Sequence, residues 1–194
     1  MNFLKKTYNW TLEKAQHKNA KWYLSLISFV ESSFFPIPPD ILLIPMALAS
    51  KANALFYAFI CTLFSVLGGI LGYAIGYFFF NSVGIYIVEF YHLENSFSVF
   101  EDYYKEFGIV IVLGAGITPF PYKFITIASG VFGLNIFLFI IVSIIGRGLR
   151  FYLIAILLYF FGEKIRLIID RYFNILTVTF FILLAGSVFI IRYL

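Results

Sequence analysis

Charged side chains stand inside otherwise apolar stretches of this 194-residue sequence, namely Glu31, Asp40, Lys123, Arg147 and Arg150. Charges within hydrocarbon are costly and usually serve a function. Arginine presents planar paired donors that fit a phosphate group, and a neighbouring carboxylate competes for them and takes up a proton when displaced. The pattern therefore predicts a site in which Lys123, Arg147 and Arg150 bind an anion. Glu31 and Asp40 are the predicted proton-coupling groups.

The composition places these charges in a membrane protein. The chain is 62% hydrophobic and 12% charged, whereas a soluble domain is about half apolar and a quarter charged. Membrane lipids are the expected partners, and the net charge of +4 indicates membrane orientation rather than nucleic-acid binding. His17 and His92 have no companions at metal-ligand spacing, so neither a metal nor a cofactor is expected.

Two apolar stretches are interrupted by proline, which blocks helix continuation. Irregular backbone survives at membrane depth only when it is packed in protein or lines a water-filled cavity. We therefore expect two re-entrant helical hairpins, at 23–51 and 108–135. The hairpin-forming prolines are Pro36, Pro38, Pro39, Pro45, Pro119 and Pro121.

The other segments complete a single polytopic domain over 1–194, of the all-α class. Lysines and an apolar face predict an amphipathic surface helix over 1–22. Basic residues avoid the acidic stretch 81–107, which is therefore expected to be an external loop with a second surface helix. Full transmembrane helices are expected at 52–80, 136–161 and 173–194. The predicted location is the inner (cytoplasmic) membrane, with the N-terminus in the cytoplasm.

Gly68, Gly72 and Gly76 repeat every four residues within the first of these transmembrane helices. Small residues at this spacing let another helix approach closely. The partner is expected to be either a second copy of the chain, giving a homo-oligomer, or another helix of the same chain.

An internal repeat relates the two interrupted stretches. Residues 36–47 align without gaps to 119–130, which matches Pro36 to Pro119 and Asp40 to Lys123. One transmembrane helix separates the repeats, so they are expected to enter from opposite sides, as in the inverted repeats of many transporters. The alternative is a chance similarity between two proline-containing apolar runs.

Glu31, the Pro-x-Pro-Pro-Asp run and the later proline hairpin resemble the DedA family, also called the VTT or SNARE-associated family, and its YqaA-type branch most of all. The resemblance covers roughly residues 23–161. It implies two opposed re-entrant hairpins, transfer of phospholipids or polyprenyl phosphates between leaflets, and Glu31 with Asp40 as the acidic pair of the first hairpin.

The second hairpin departs from the family pattern. Familiar members carry arginines on both sides of the hairpin proline, whereas Gly116 and Lys123 stand near these positions here. Arg147 and Arg150 lie three residues apart on one helix face, and we expect them to supply the missing cations. The resemblance and the charges together predict a membrane transporter, of the flippase or scramblase type, for a phosphate-bearing lipid. One version of this hypothesis couples lipid transfer to proton movement.

Two alternatives stay open. The charges can instead be internal salt bridges in a membrane-organising or assembly factor that transports nothing. An intramembrane hydrolase or phosphatase would have Ser32, Ser33 and Ser129 as candidate nucleophiles, but no histidine lies in an apolar span to act as a base. We therefore expect that the protein is not an enzyme.

Overall fold

The computed structural model describes residues 19–33, 38–92, 94–118, 120–162 and 164, and these residues form helices and no strands. The predicted all-α class is confirmed for this part of the chain. Four predicted features lie wholly or partly outside the described residues. They are Pro36, Pro119, residues 1–18 of the surface helix predicted over 1–22, and the transmembrane helix predicted at 173–194. The helices are α1 Ala20–Ser33, α2 Asp40–Ala49, α3 Ala54–Phe79, α4 Ile85–Phe90, α5 Glu94–Ile117, α6 Tyr122–Val131 and α7 Ile136–Gly162.

Two helical segments of the described chain are long and apolar enough to cross a membrane, as predicted for 52–80 and 136–161. They are Lys51–Gly84 with 34 residues, which contains α3, and Ile136–Gly162 with 27 residues. A 3₁₀ turn at Lys51–Asn53 and a π-helical turn at Phe80–Gly84 extend α3 at its two ends. Large apolar side chains such as Phe78 and Leu153 are exposed on both segments, which is typical of a surface that faces lipid rather than water.

Proline marks both breaks, but it does not always stop a helix. Pro39 and Pro121 stand directly before α2 and α6, where a missing N–H costs no bond because the first helical amides have no acceptor within the helix. Pro45 instead lies within α2. The prediction that proline interrupts these stretches therefore describes Pro39 and Pro121 better than Pro45.

The first pair of helices runs beside one half of α3. The Ser28 hydroxyl donates to the carbonyl of Cys61, and the hydroxyls of Ser32 and Ser65 are in contact, so α1 runs parallel to α3. Asp40 pairs with Arg150 and Leu48 lies beside Gly162, so α2 runs parallel to α7. Because Arg147 contacts Ser65 while Phe139 lies beside Gly69, α7 and therefore α2 run antiparallel to α3. The chain thus runs along α1 to a point beside the middle of α3, where α1 ends, and then runs back along α2.

The second pair approaches the middle of α3 from its other end. Gly69 of α3 lies beside Tyr122, and Gly76 lies beside Ile127 and Val131, so α6 starts near the middle of α3 and runs toward its C-terminal end. The end of α5 at Ile117 and the start of α6 at Tyr122 are joined by a short connection, and Tyr104, further back along α5, contacts Ile125 and Ser129, further along α6, so the two helices are antiparallel. The two breaks therefore meet at the same level.

The glycine face of α3 is used within the chain. A Cβ atom added at Gly68 would lie 2.0 Å from the Phe29 carbonyl oxygen of α1, and one added at Gly76 would lie 2.0 Å from the Ile127 carbonyl oxygen of α6. Gly72 packs between Thr126 and the Ser32 carbonyl. Close packing is confirmed, and a second copy of the chain would have to displace α1 and α6 to use this face.

The acidic stretch 81–107 differs from the external loop predicted there. The π-helical turn, α4 and the first half of α5 occupy most of it. Val99, Tyr103 and Phe107 do lie on a helix and are exposed, but that helix continues without a break to Ile117. The predicted surface helix and the first arm of the second hairpin are thus one element, held together by the buried Tyr104 and Val112 on its other face.

Candidate functional site

The centre of α7 carries both arginines of the candidate site. Arg147 is the twelfth and Arg150 the fifteenth of the 27 residues of Ile136–Gly162, so one helical turn separates them. Gly146 lets α5 come close, since a Cβ added at Gly116 would lie 3.1 Å from the Gly146 Cα. The two side chains therefore stand where both breaks meet α3 and α7.

Arg147 is enclosed by specific partners. Its Nη2 lies 2.5 Å from the Glu31 carboxylate, and its Nε donates to the Ser65 hydroxyl at 2.6 Å. The guanidinium carbon lies 4.9 Å from the centre of the Tyr122 ring and 4.7 Å from that of Phe151. Only 1% of the side chain is exposed. We refer to Glu31–Arg147 as the inner ion pair.

A hydroxyl network joins this pair to two other helices, α3 and α6. Ser32 donates to Glu31 at 3.0 Å and lies 2.7 Å from the Ser65 hydroxyl. Thr126 of α6 donates to the Ser32 carbonyl at 3.0 Å, and the hydroxyls of Tyr122 and Ser143 lie 2.6 Å apart. Glu31 is therefore hydrogen-bonded as well as paired, which is what a buried charge requires.

Arg150 forms the outer ion pair with Asp40, the first residue of α2. Its Nη1 also donates to the carbonyl of Thr118, in the break between α5 and α6, at 2.6 Å. Exposure is 14% for the Arg150 side chain and 18% for Asp40. Asp40 Oδ1 is buried and has no hydrogen-bond partner among the described residues. The outer pair is thus more open and less completely satisfied than the inner one.

Lys123, the third cation of the predicted anion site, forms an ion pair with neither acid among the described residues. The carboxylates of Glu31 and Asp40 are both bound by α7 arginines, and the Lys123 ammonium lies over the Phe124 ring, 5.2 Å from its centre. The sequence repeat matched Asp40 with Lys123, but a sequence match between two repeats does not make the residues spatial partners. The two ion pairs bring together Glu31, Asp40, Arg147 and Arg150, whereas Lys123 pairs with neither acid in the described part of the chain.

The site lies between two apolar clusters. One is centred on α1, α2, α3 and the second half of α7 and includes Phe151, and the other contains Tyr122, Phe139 and Val112. Arg147 is held between one ring from each cluster. Sequence reasoning missed Ser65, Tyr122 and Phe151 as partners of Arg147, and the one available signal was the position of Ser65 beside the glycine repeat.

The three serines that are candidate nucleophiles of an enzyme all have hydrogen-bonded hydroxyl groups. Ser33 donates to the Phe29 carbonyl at 2.6 Å, and Ser129 donates to the Ile125 carbonyl at 2.7 Å. Ser32 contacts a carboxylate and a hydroxyl as described above. The arrangement thus holds two arginine–carboxylate pairs, and arginine binds other oxyanions through the same donors.

Comparison with known proteins finds relatives in two bacteria. The chain is 38% identical over 157 residues to an uncharacterized protein of Haemophilus influenzae, which covers 81% of each chain. It is 36% identical over 160 residues to an uncharacterized HI0703 homolog of Histophilus somni, which covers 81% of this chain and 82% of the relative. No protein-family model matches the chain, and no solved structure matches it either. The resemblance to the DedA family stays a prediction.

Proposed function

We propose a function from the premise that this chain belongs to one family with the Haemophilus influenzae and Histophilus somni proteins. Both relatives are described only as uncharacterized, so the proposal is built on the residues of this chain. The protein is proposed to be an inner-membrane transporter, of the flippase or scramblase type, that moves a phosphate-bearing lipid between leaflets. The lipid is a phospholipid or a polyprenyl phosphate, which present the same anion to the site.

The observation that supports this function is the position of the two arginines. Both lie at the centre of an apolar helix long enough to cross a membrane, and both are paired with acids at helix breaks. In the proposed arrangement, α1 with α2 and α5 with α6 are re-entrant hairpins from opposite leaflets. Discontinuous helices that meet near the midplane are a common way to build a transport site.

The chemistry of transfer follows from this placement. A headgroup phosphate crosses hydrocarbon only with cationic partners, because an unpaired buried charge is strongly disfavoured. In the resting protein the carboxylates neutralise the arginines. When phosphate displaces a carboxylate, that carboxyl group lies in apolar surroundings without its cation and is expected to bind a proton. Lipid movement and proton movement are thereby coupled in this proposal.

Reconstitution of the full chain into liposomes tests the function. Vesicles of phosphatidylcholine with a tenth of phosphatidylglycerol would carry either a fluorescent phospholipid or a fluorescent polyprenyl phosphate, with dithionite to quench the outer leaflet. We expect protein to raise the rate of transfer at least tenfold over empty vesicles for one of the two probes. Rates equal to those of empty vesicles for both probes would contradict the proposal.

Proton coupling is tested in the same vesicles. An imposed pH gradient is expected to change the rate of transfer by the wild-type protein. Asp40→Asn should remove this response, because an amide cannot take up the proton. A gradient response that persists in Asp40→Asn would exclude Asp40 as the coupling group.

The complete enclosure of Arg147 favours a second candidate, a membrane-organising factor whose ion pairs only fix helix packing. Such a factor would transfer no lipid in the liposome assay. If the wild-type protein does transfer lipid, a charge exchange, Asp40→Arg with Arg150→Asp, tests the role of the outer pair because it retains a pair at the same position. Stable protein that still transfers lipid would identify a structural pair. Stable protein without transfer would identify a working site.

A further inference from the structure

Arg147 and Arg150 are one turn apart on α7, yet their surroundings are opposite. Arg147 is 1% exposed and Arg150 is 14% exposed. The residues around the outer pair are open as well: Ile41 is 50% exposed and Phe120 is 40% exposed. A ligand that arrives from outside the described helices therefore reaches Arg150 before it reaches Arg147.

The partners of Arg147 leave it little freedom to exchange anions. Its donors contact Glu31, Ser65 and, at 3.5 Å, Ser32. Its guanidinium group also contacts the rings of Tyr122 and Phe151. Replacing Glu31 by another anion would leave the Glu31 carboxylate, which is only 11% exposed, without its cation, and would break the ion pair that joins α1 to α7.

The partners of Arg150 leave it free to exchange. Asp40 Oδ1 is buried without a hydrogen-bond partner in the described part of the chain, so Arg150 holds this carboxylate through Oδ2 alone. Thr118, whose carbonyl accepts from Arg150, is an exposed residue of the second break. Releasing Asp40 therefore breaks few other contacts, and Arg150 keeps its bond to Thr118 while the anion changes.

We infer that the two arginines have different roles: Arg150 is the residue that binds the phosphate of the ligand, and Arg147 is a positioning residue that fixes α7 against α1 and α3. This inference rests on the proposed function for the identity of the ligand. Arg147 acts through the inner pair, which holds Arg150 at the level where the two breaks meet. Discrimination between a phosphate monoester and a phosphate diester then depends on the paired N–H donors of the Arg150 guanidinium group.

Arginine modification of the wild-type full chain tests the assignment. Phenylglyoxal would be applied to the protein in maltoside micelles, and the modified residues would be located by mass spectrometry. We expect Arg150 to be modified at least tenfold faster than Arg147. Phosphatidylglycerol in the micelles should slow modification of Arg150 at least threefold, while a diacylglycerol, which lacks phosphate, should have no effect.

Conservative variants supply a second readout. Arg150→Lys is expected to leave the melting temperature in detergent within about 2 °C and to weaken inhibition of transfer by free phosphatidylglycerol at least fivefold. Arg147→Lys is expected to lower the melting temperature, because one ammonium cannot reproduce the bonds to Ser65 and Glu31 and the contact with two rings. If either variant fails to fold, the modification of the wild-type chain still decides between the two arginines.

The outcomes separate this inference from the proposed function. Equal modification rates for the two arginines, or no protection of Arg150 by phosphatidylglycerol, would overturn the inference even if the wild-type protein transfers lipid. Protection of Arg150 in a protein that transfers no lipid would leave the anion site in place and remove the transport function.

Discussion

At the scale of single residues, the two ion pairs differ in what their loss leaves behind. Removing one partner of a buried pair leaves an uncompensated charge and costs about 3–5 kcal/mol. The inner pair fits this case because Arg147 is fully enclosed. The pair of Lys105 with Glu101 on α5 is the contrast, since its charged atoms lie 2.7 Å apart and its side chains are 62% and 36% exposed.

Glu31→Gln is therefore expected to destabilise the protein by about 3–5 kcal/mol. The measurement is the free energy of unfolding in mixed micelles, followed by tryptophan fluorescence. Glu101→Gln is the matched control, with the same substitution at the exposed pair, and should leave the unfolding curve unchanged. Equal effects of the two substitutions would show that burial does not set the strength of the inner pair.

Ser65 is expected to contribute through its bond to the Arg147 Nε. Ser65→Ala removes a hydrogen bond to a charged group, which costs about 1.5–3 kcal/mol. Ser82→Ala is its control, because the Ser82 hydroxyl is exposed and donates only to the Phe78 carbonyl one turn earlier. A change for Ser65→Ala no larger than that of its control would mean that Glu31 alone holds the arginine.

At the scale of the helices, backbone contact explains how short α1 and α6 stay against α3. In an ordinary helix interior, replacing glycine by alanine stabilises by about 0.5–1 kcal/mol. Gly68 and Gly76 cannot gain from this change, since the added methyl group would lie 2.0 Å from a backbone oxygen of a neighbouring helix. The small residues thus set the distance between the elements.

Gly68→Ala and Gly114→Ala should accordingly have opposite signs. A Cβ at Gly114 of α5 would meet nothing within 4 Å, so this variant is expected to be more stable by about 0.5–1 kcal/mol. Gly68→Ala is expected to unfold at a lower temperature, because α1 must move away from α3. Thermal melts in one detergent measure both, and a stabilised Gly68→Ala would contradict the packing described here.

The sequence predicted these elements unevenly. Proline located the starts of α2 and α6, because its missing N–H is tolerated at a helix start. The continuity of α5 was missed, since the charges between Glu101 and Glu106 read as a loop while the buried face of Tyr104 and Val112 carries the helix through. The sequence drew attention to Glu31, Asp40, Arg147 and Arg150 because charges in apolar stretches are conspicuous. Their pairing depends on the rotation of α7, which no local pattern encodes.

At the scale of the whole molecule, basic residues lie near the start of α3 and acidic residues follow its other end. Lys21 lies over the Phe56 ring near the start of α3, and Lys51 precedes that helix. Glu89, Asp102 and Glu106 follow its other end along the chain. Under the positive-inside rule, this division favours the cytoplasm for the start of α3.

Cysteine labelling in intact cells tests this orientation. In a Cys61→Ser background, Asp102→Cys is expected to react with a membrane-impermeant thiol reagent added outside the inner membrane. Ala52→Cys should react only after the membrane is permeabilised. The reverse pattern would invert the proposed topology while leaving the paired charges as described.

The long sequence separation of the ion pairs has a consequence for biosynthesis. Glu31 is made 116 residues before Arg147, and Asp40 is made 110 residues before Arg150. Glu31 and Asp40 therefore leave the ribosome before the arginines that pair with them. Until α7 is made, α1 and α2 must wait near the headgroups or insert with these two carboxyl groups protonated. A nascent chain arrested before α7 should be a preferred substrate for membrane proteases, whereas one arrested after Gly162 should survive.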